Sequence, residues 1–169
     1  YPAFCARPKR ATKTRDTAEQ AGQSIRLRTD IPHSEPVALD TLLDEISATI
    51  SQYVICGQET ADACALWIAF TWVVDHFPIC PLALITAPEK RCGKSTLLGV
   101  MGRLVRKPLL ASNITPSAMF RSLELCRPTL LIDEADTFLG NSDELRGIIN
   151  SGHTRDSAHV IRTVGDDHE

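Results

Sequence analysis

The sequence predicts an α/β fold, a parallel sheet preceded by a small helical region. Three observations predict it. Two long segments with helical spacing of apolar residues come first, between positions 37 and 77. Short apolar runs then alternate with helix-periodic stretches, the order expected when parallel strands are joined by crossing helices. The runs themselves, "LALIT" at 82–86, "PLLAS" at 108–112 and "TLLID" at 129–133, are apolar almost throughout, as strands covered on both faces must be.

Taken in order, residues 1–36 read as a basic lead-in, 37–80 as a helical subdomain and 81–169 as the sheet-bearing core. From Val37 to Ile55, Leu39, Leu42, Leu43, Ile46, Ile50, Tyr53 and Val54 mark one face of an amphipathic helix, which Gly57 ends. A second helix from about Glu59 to Phe77 is apolar nearly all round, which predicts burial, and Pro78 stops it. The first strand is 82–86. A loop at 87–93 leads into a helix at 94–106 whose inward residues are Leu97, Leu98, Met101 and Leu104 or Val105. After a strand at 108–112, Thr115 is placed to cap a helix with Pro116 at its first position. The strand at 129–133 follows, then a helix at 141–150 with Asn141 or Ser142 as cap, acids in its first turn and Gly152 at its end. "AHVIRTV" at 158–164 alternates enough for a last strand. The opening at Tyr1 and the charged close "GDDHE" read as a chain whose core is incomplete at its C-terminal end.

Composition narrows the class. A 43% hydrophobic and 23% charged chain is ordinary for a globular protein. The net charge of -3 is unevenly spread: residues 1–30 carry seven Lys/Arg against three Asp/Glu, and the rest is acidic. Such a head buries too little to offset chain entropy and reads as a solvated linker; contact with nucleic acid is the alternative. The most apolar run, "ALWIAFTWVV" at 65–74, is too short to cross a bilayer, and no membrane partner is expected. Six cysteines, at 5, 56, 64, 80, 92 and 126, show neither CxxC nor zinc spacing, so they read as reduced thiols of a cytoplasmic protein.

Two stretches carry chemistry. The first is "APEKRCGKST" at 87–96. An apolar strand, a loop and a helix opening with Lys-Ser form the arrangement that turns backbone N–H groups toward phosphate. Gly93 lets the backbone approach, Lys94 reaches the β- and γ-phosphates as a mobile charge, and Ser95 offers its hydroxyl to Mg²⁺. The helix start, with Thr96, adds its partial positive charge. The eight-residue pattern would have glycine where Pro88 stands, so the loop must open on a rigid turn beside Glu89. Lys90 and Arg91 add positive charge or are a solvated tip; Cys92 is a tolerated small residue. The binding stretch thus runs from Pro88 to Thr96.

The second is "RPTLLIDEADTFL" at 127–139. A buried strand that delivers two acids at its carboxyl end needs a partner for them there. Mg²⁺·ATP is one: Asp133 would hold the metal and Glu134 would orient the attacking water. The plain alternative is a polar turn with Asp133 as a helix cap. Asp136 reads as a cap or surface acid.

With these residues in view, "PEKRCGKSTLL", "SNITPSAMFR", "PTLLIDEADTFL" and "ELRGIINSGHTR" resemble an uncharacterised P-loop domain family of bacterial, plasmid and phage primase–helicase-like proteins, over about residues 37–169. The Pro-containing loop is typical of that family. The resemblance implies a RecA/AAA-like P-loop NTPase sheet, ATPase activity with ATP and Mg²⁺ as cofactors, and a role in DNA replication or mobile elements. Single- or double-stranded DNA and further copies of the chain are the implied partners. No sensor residue or arginine finger matches clearly; Arg155 and Arg162 are candidates that read more simply as surface arginines, and His153 belongs near the acids or in a turn. A P-loop kinase of a small acceptor, or a non-catalytic nucleotide- or DNA-binding scaffold, are the competing readings.

Overall fold

The computed structural model describes residues 31–89, 91–112, 114–135 and 143–157. The expected lead-in to residue 30, Lys90, Asp136, the caps Asn141 and Ser142, the strand at 158–164 and Arg162 lie outside them. Residues 31–36 are exposed and form neither helix nor strand.

Helix α1 (Leu39–Tyr53) lies against α2 (Gln58–Val73), and a single 3₁₀ turn, Val74–His76, extends the latter. Ala61, Ala65 and Ile68 recur at helical spacing on α2 and are buried, Ala61 and Ile68 in one cluster with Ile50 and Val54, and the small Ala61 and Ala65 allow a close approach. A polar clasp fixes the register. The Ser47 hydroxyl donates to the Asp62 carboxylate at 2.7 Å, and the Gln58 amide donates to both, at 3.0 and 2.8 Å. Buried Ser47 is therefore satisfied.

The burial differs from the sequence expectation here. Of the apolar face expected on α1, Leu39, Leu42 and Tyr53 are exposed, and α2 exposes Leu66, Trp72 and Val73. Among the described residues α2 packs mainly on α1 and less on α3, which leaves part of each helix of the pair exposed.

Helix α3 (Lys94–Leu104) connects the helical pair to the sheet. Leu97, Met101 and Val105 are buried in one cluster with Ile50, Val54, Ala61, Ile68 and Leu131. Strands β1 (Pro108–Ala111) and β2 (Thr129–Ile132) pair in parallel, Pro108 opposite Thr129 and Ala111 opposite Ile132. Helix α4 (Pro116–Cys126) makes the crossover, with the Thr115 hydroxyl accepting from the Ala118 N–H at 3.3 Å as its cap. Helix α5 (Asp143–Ser151) follows, and the Gly152 N–H closes it on the Ile148 carbonyl.

Alternation along β2 separates the two faces of the sheet. Leu131 joins the α3 side, while Leu130 and Ile132 pack with Met119, Leu145 and Ile148 from α4 and α5. Both faces of β2 are thus covered, as is usual for a parallel strand, while Leu110 on β1 stays 57% exposed. Gly102 lets α3 come close: a Cβ there would stand 3.0 Å from Leu110 Cδ1 and 3.2 Å from Leu131 Cδ1.

The expected strand at 82–86 is not paired among the described residues. Leu82 and Leu84 are 59% and 81% exposed, and only Ile85 reaches the core. The chain just before it is held instead: Ile79 bridges antiparallel to Thr154, with the Cys80 N–H on the His153 carbonyl at 2.8 Å. Apolar content makes a stretch suited to a strand, but a ladder needs a neighbour's backbone groups alongside. Among the described residues no helix is long and apolar enough to cross a membrane.

Candidate functional site

The loop before α3 turns twice through conformations that L-residues seldom adopt. Arg91 has φ 66° and Gly93 φ 81°. At Gly93 the backbone angle rather than crowding demands glycine, since a Cβ would meet only Val54 Cγ1, at an ordinary 3.7 Å. The first bond of α3 runs from the Leu97 N–H to the Gly93 carbonyl, and no side chain caps the helix. The amides of Lys94, Ser95 and Thr96 thus open the helix without an intrahelical acceptor, a concentration of partial positive charge.

Lys94 folds back along this loop, its ammonium 3.4 Å from the Glu89 carbonyl. Ser95 looks the other way. Its hydroxyl donates to Asp133 Oδ1 at 3.3 Å, across 38 positions of sequence. Asp133 stands immediately beyond β2, where its own N–H continues the ladder to the Ala111 carbonyl. The Glu134 N–H donates to the same Oδ1 at 3.0 Å. Asp133 therefore joins the helix start to the strand end through one oxygen.

Glu134 has φ 55°, a left-handed angle carried by a non-glycine residue, and its side chain is exposed. Such strain costs on the order of 1 kcal/mol and concentrates where a side chain must be aimed. It turns the chain sharply directly after the strand.

Sequence and structure agree on some placements and differ on others. Lys94, Ser95, Thr96 and Asp133 lie around one helix start, with Glu134 next along the chain. Lys94 and Asp133 form no ion pair with each other among the described residues; the lysine is turned to the loop and the aspartate to the helix. Pro88, Glu89, Arg91 and Cys92 are exposed on the loop. His153 sits in the turn after α5, where its Nδ1 is 3.1 Å from the Thr154 hydroxyl. Arg155 is engaged within its own chain, 2.9 Å from the Val74 carbonyl and 3.8 Å from Asp75. That engagement favours the simple surface reading of Arg155 over a role toward a neighbouring subunit.

Hydroxyl and carboxylate oxygens are the donors a small hard cation prefers, and Ser95 and Asp133 present one of each, leaving room for water and phosphate oxygens. No group of three or more His, Cys, Asp or Glu side chains able to hold a metal occurs among the described residues. A metal fitting this pair is one shared with a ligand rather than enclosed by protein.

Several features escaped the sequence reading. A cleft of about 780 Å³ opens beside the loop, bounded by Cys92, Gly93 and Lys94 on one side and by the α1–α2 turn on the other. The two tryptophans lock backbone carbonyls, Trp67 donating to Pro81 and Trp72 to Leu104, each at 3.0 Å. Arg106 pairs with Asp75 at 2.7 Å and holds its carboxyl below the ordinary range. The hydrogen bonds from Ser47 and then Gln58 do the same for Asp62. Burial raises the Cys64 and Cys80 thiols, Cys64 further through nearby Cys56. Only the Gln58/Asp62 spacing, four apart on a helix, was a signal visible in advance.

Compared with known proteins, the chain matches no family model, no curated protein and no solved structure.

Proposed function

We propose that this chain is an ATP-binding and ATP-hydrolysing domain of the RecA/AAA-like P-loop NTPase type, serving a helicase-like protein of DNA replication or mobile elements. The observation that carries the reading is the 3.3 Å contact between the Ser95 hydroxyl and the Asp133 carboxylate. A loop-and-helix start and a strand end, each read separately as half of a nucleotide site, meet there.

In this reading the amides of Gly93 through Thr96 and the Lys94 ammonium hold the β- and γ-phosphates. Lys94 leaves the Glu89 carbonyl to do so, exchanging a neutral acceptor for an anionic one. Ser95 and Asp133 would hold Mg²⁺, which when bound neutralises charge building on the phosphate oxygens. Glu134 orients a water toward the γ-phosphorus and draws its proton. The Asp133–Glu134 pair directly beyond the strand, one acid for the metal and one for water, favours hydrolysis over transfer to a small molecule. DNA and further copies of the chain are the proposed partners, and the cytoplasm the proposed location.

The test is calorimetric titration with ATP in the presence of Mg²⁺, followed by phosphate release with and without single-stranded DNA. Magnesium-dependent binding is expected. Failure to bind ATP by a chain shown to be folded would end the proposal.

A further inference from the structure

We infer that a basic patch bordered by aromatic rings, gathered around Asp75 at the end of the sheet opposite the phosphate loop, binds single-stranded DNA. The inference rests on the reading of DNA as a partner and makes no use of the ATP site.

Cations converge on Asp75, in the 3₁₀ turn after α2, from separate parts of the chain. Arg106 pairs with one of its oxygens at 2.7 Å, and Arg155 stands 3.8 Å from the other. Arg127, exposed at the end of α4, is near enough for its charge to act on the same carboxylate. Lys107 reaches the Cys126 carbonyl at 3.4 Å, which sets it beside Arg127. Even with Asp156 next to Arg155, the patch keeps an excess of positive charge, in a chain whose net charge is -3. Like charges held together repel, and an anion arriving from outside relieves that repulsion.

Backbone geometry marks the same place. Lys107 and Arg127 lead into β1 and β2 at φ 47° and 46°, left-handed angles that glycine takes at least cost. Each position carries a long cation instead, at the amino ends of two neighbouring strands. Ser95 and Asp133 meet at the carboxyl end of β2, so a ligand on the patch and one on the phosphate loop do not compete.

Aromatic rings border the cations. Trp72 lies one turn before Asp75, its indole N–H on the Leu104 carbonyl two residues from Arg106, and it stays 42% exposed. Phe77 packs at a tilt on Phe70 and stays 48% exposed. The Arg155 N–H on the Pro78 carbonyl, at 2.9 Å, brings that arginine alongside Phe77. Guanidinium forks match phosphate oxygens, and exposed rings stack on bases. An acidic protein would satisfy the cations alone; the rings favour a strand whose bases are free to stack.

The test is fluorescence anisotropy of a labelled oligo(dT) of about 16 nucleotides with the full chain, without ATP, across about 50–200 mM salt. Binding should weaken steeply with salt and quench tryptophan fluorescence, and Trp72→Phe should abolish the quenching. The double variant Arg127→Gln, Arg155→Gln, shown folded by circular dichroism, should bind about tenfold more weakly, with a salt slope shallower by about 1.4. Arg127→Lys with Arg155→Lys should keep the parent slope. Unchanged affinity and slope in the glutamine variant, or quenching that persists in Trp72→Phe, overturns the patch and leaves DNA as a partner through another surface. Competition by a duplex or by polyglutamate as strong as by unlabelled oligo(dT) overturns it too. If the folded chain binds no oligonucleotide, the patch and the DNA reading fall together.

Discussion

The Ser95 hydroxyl donates to the Asp133 carboxylate, and the Glu134 amide donates to the same oxygen. One carboxylate oxygen thereby ties the first turn of α3 to the end of β2. Removing it separates the parts of the proposed site. Asp133→Ala should leave the fold intact, because Asp133 is only half-buried and its ladder bond is made by its backbone. Circular dichroism should be unchanged while the magnesium dependence of ATP binding disappears.

In the proposed site Lys94 would contribute a charge-assisted hydrogen bond to phosphate, worth about 2 kcal/mol, roughly thirtyfold in affinity. Lys94→Ala should weaken ATP binding by about that factor. Its stability in urea should match the parent, since the present partner of Lys94 is a single exposed-loop carbonyl at 3.4 Å. A variant that binds ATP as tightly as the parent would remove Lys94 from the site.

Glu134 combines an exposed carboxylate with a strained backbone. Glu134→Gln keeps the shape and removes the proposed base, so ATP binding should persist while phosphate release falls by roughly a hundredfold or more. Glu134→Gly should raise stability by about 1 kcal/mol through relief of the 55° φ, and turnover should fall as well. Gain in stability together with loss of turnover is the signature of strain held for function.

Two glycines of α3 separate packing from helix propensity. A Cβ at Gly99 meets nothing within 4 Å, so Gly99→Ala should stabilise by up to about 1 kcal/mol. At Gly102 the same methyl presses on Leu110 and Leu131, and crowding of this kind costs about 1–3 kcal/mol. The helix-propensity gain is common to both, so Gly99→Ala should be the more stable variant in urea denaturation by the crowding cost, about 1–3 kcal/mol. Equal stabilities would show that α3 does not approach the sheet this closely.

Acid should loosen the helical pair. Asp62 has a folded pKa lowered first by Ser47 and then by Gln58, and Asp75 by Arg106. A depressed carboxyl stabilises the fold above its unfolded value and loses that contribution as pH falls through the folded value. The loss accordingly begins below the ordinary carboxylate range near pH 4. Asp62→Asn should melt below the parent at pH 7, and the gap should close toward pH 2. A gap independent of pH would mean that the clasp does not depend on the charge of Asp62.

How far the sequence revealed this arrangement depends on what each element needed. Thr115 and Pro116 started α4 as their local chemistry required, and Leu97, Met101 and Val105 turned inward at helical spacing. Ser95 and Asp133 were legible because motif types at the right separation constrain them strongly. Residues 82–86 were not, since Leu82 and Leu84 are as apolar as paired strand residues, and pairing is a property of two segments. The φ of Glu134 left no mark in the sequence, where an acid after a strand looks the same strained or relaxed. The exposure of Leu39, Leu42 and Trp72 depends on what lies against the helices, which periodicity does not report. The cleft depends on the α1–α2 turn and the loop coming together in space, and neither stretch alone announces the other.

The most direct test of the central claim is calorimetric ATP affinity with and without Mg²⁺, in the parent chain and in Asp133→Asn. If Ser95 and Asp133 share a metal with the triphosphate, Mg²⁺ should tighten binding at least tenfold in the parent and have little effect in the variant. The same magnesium effect in both chains would contradict the account.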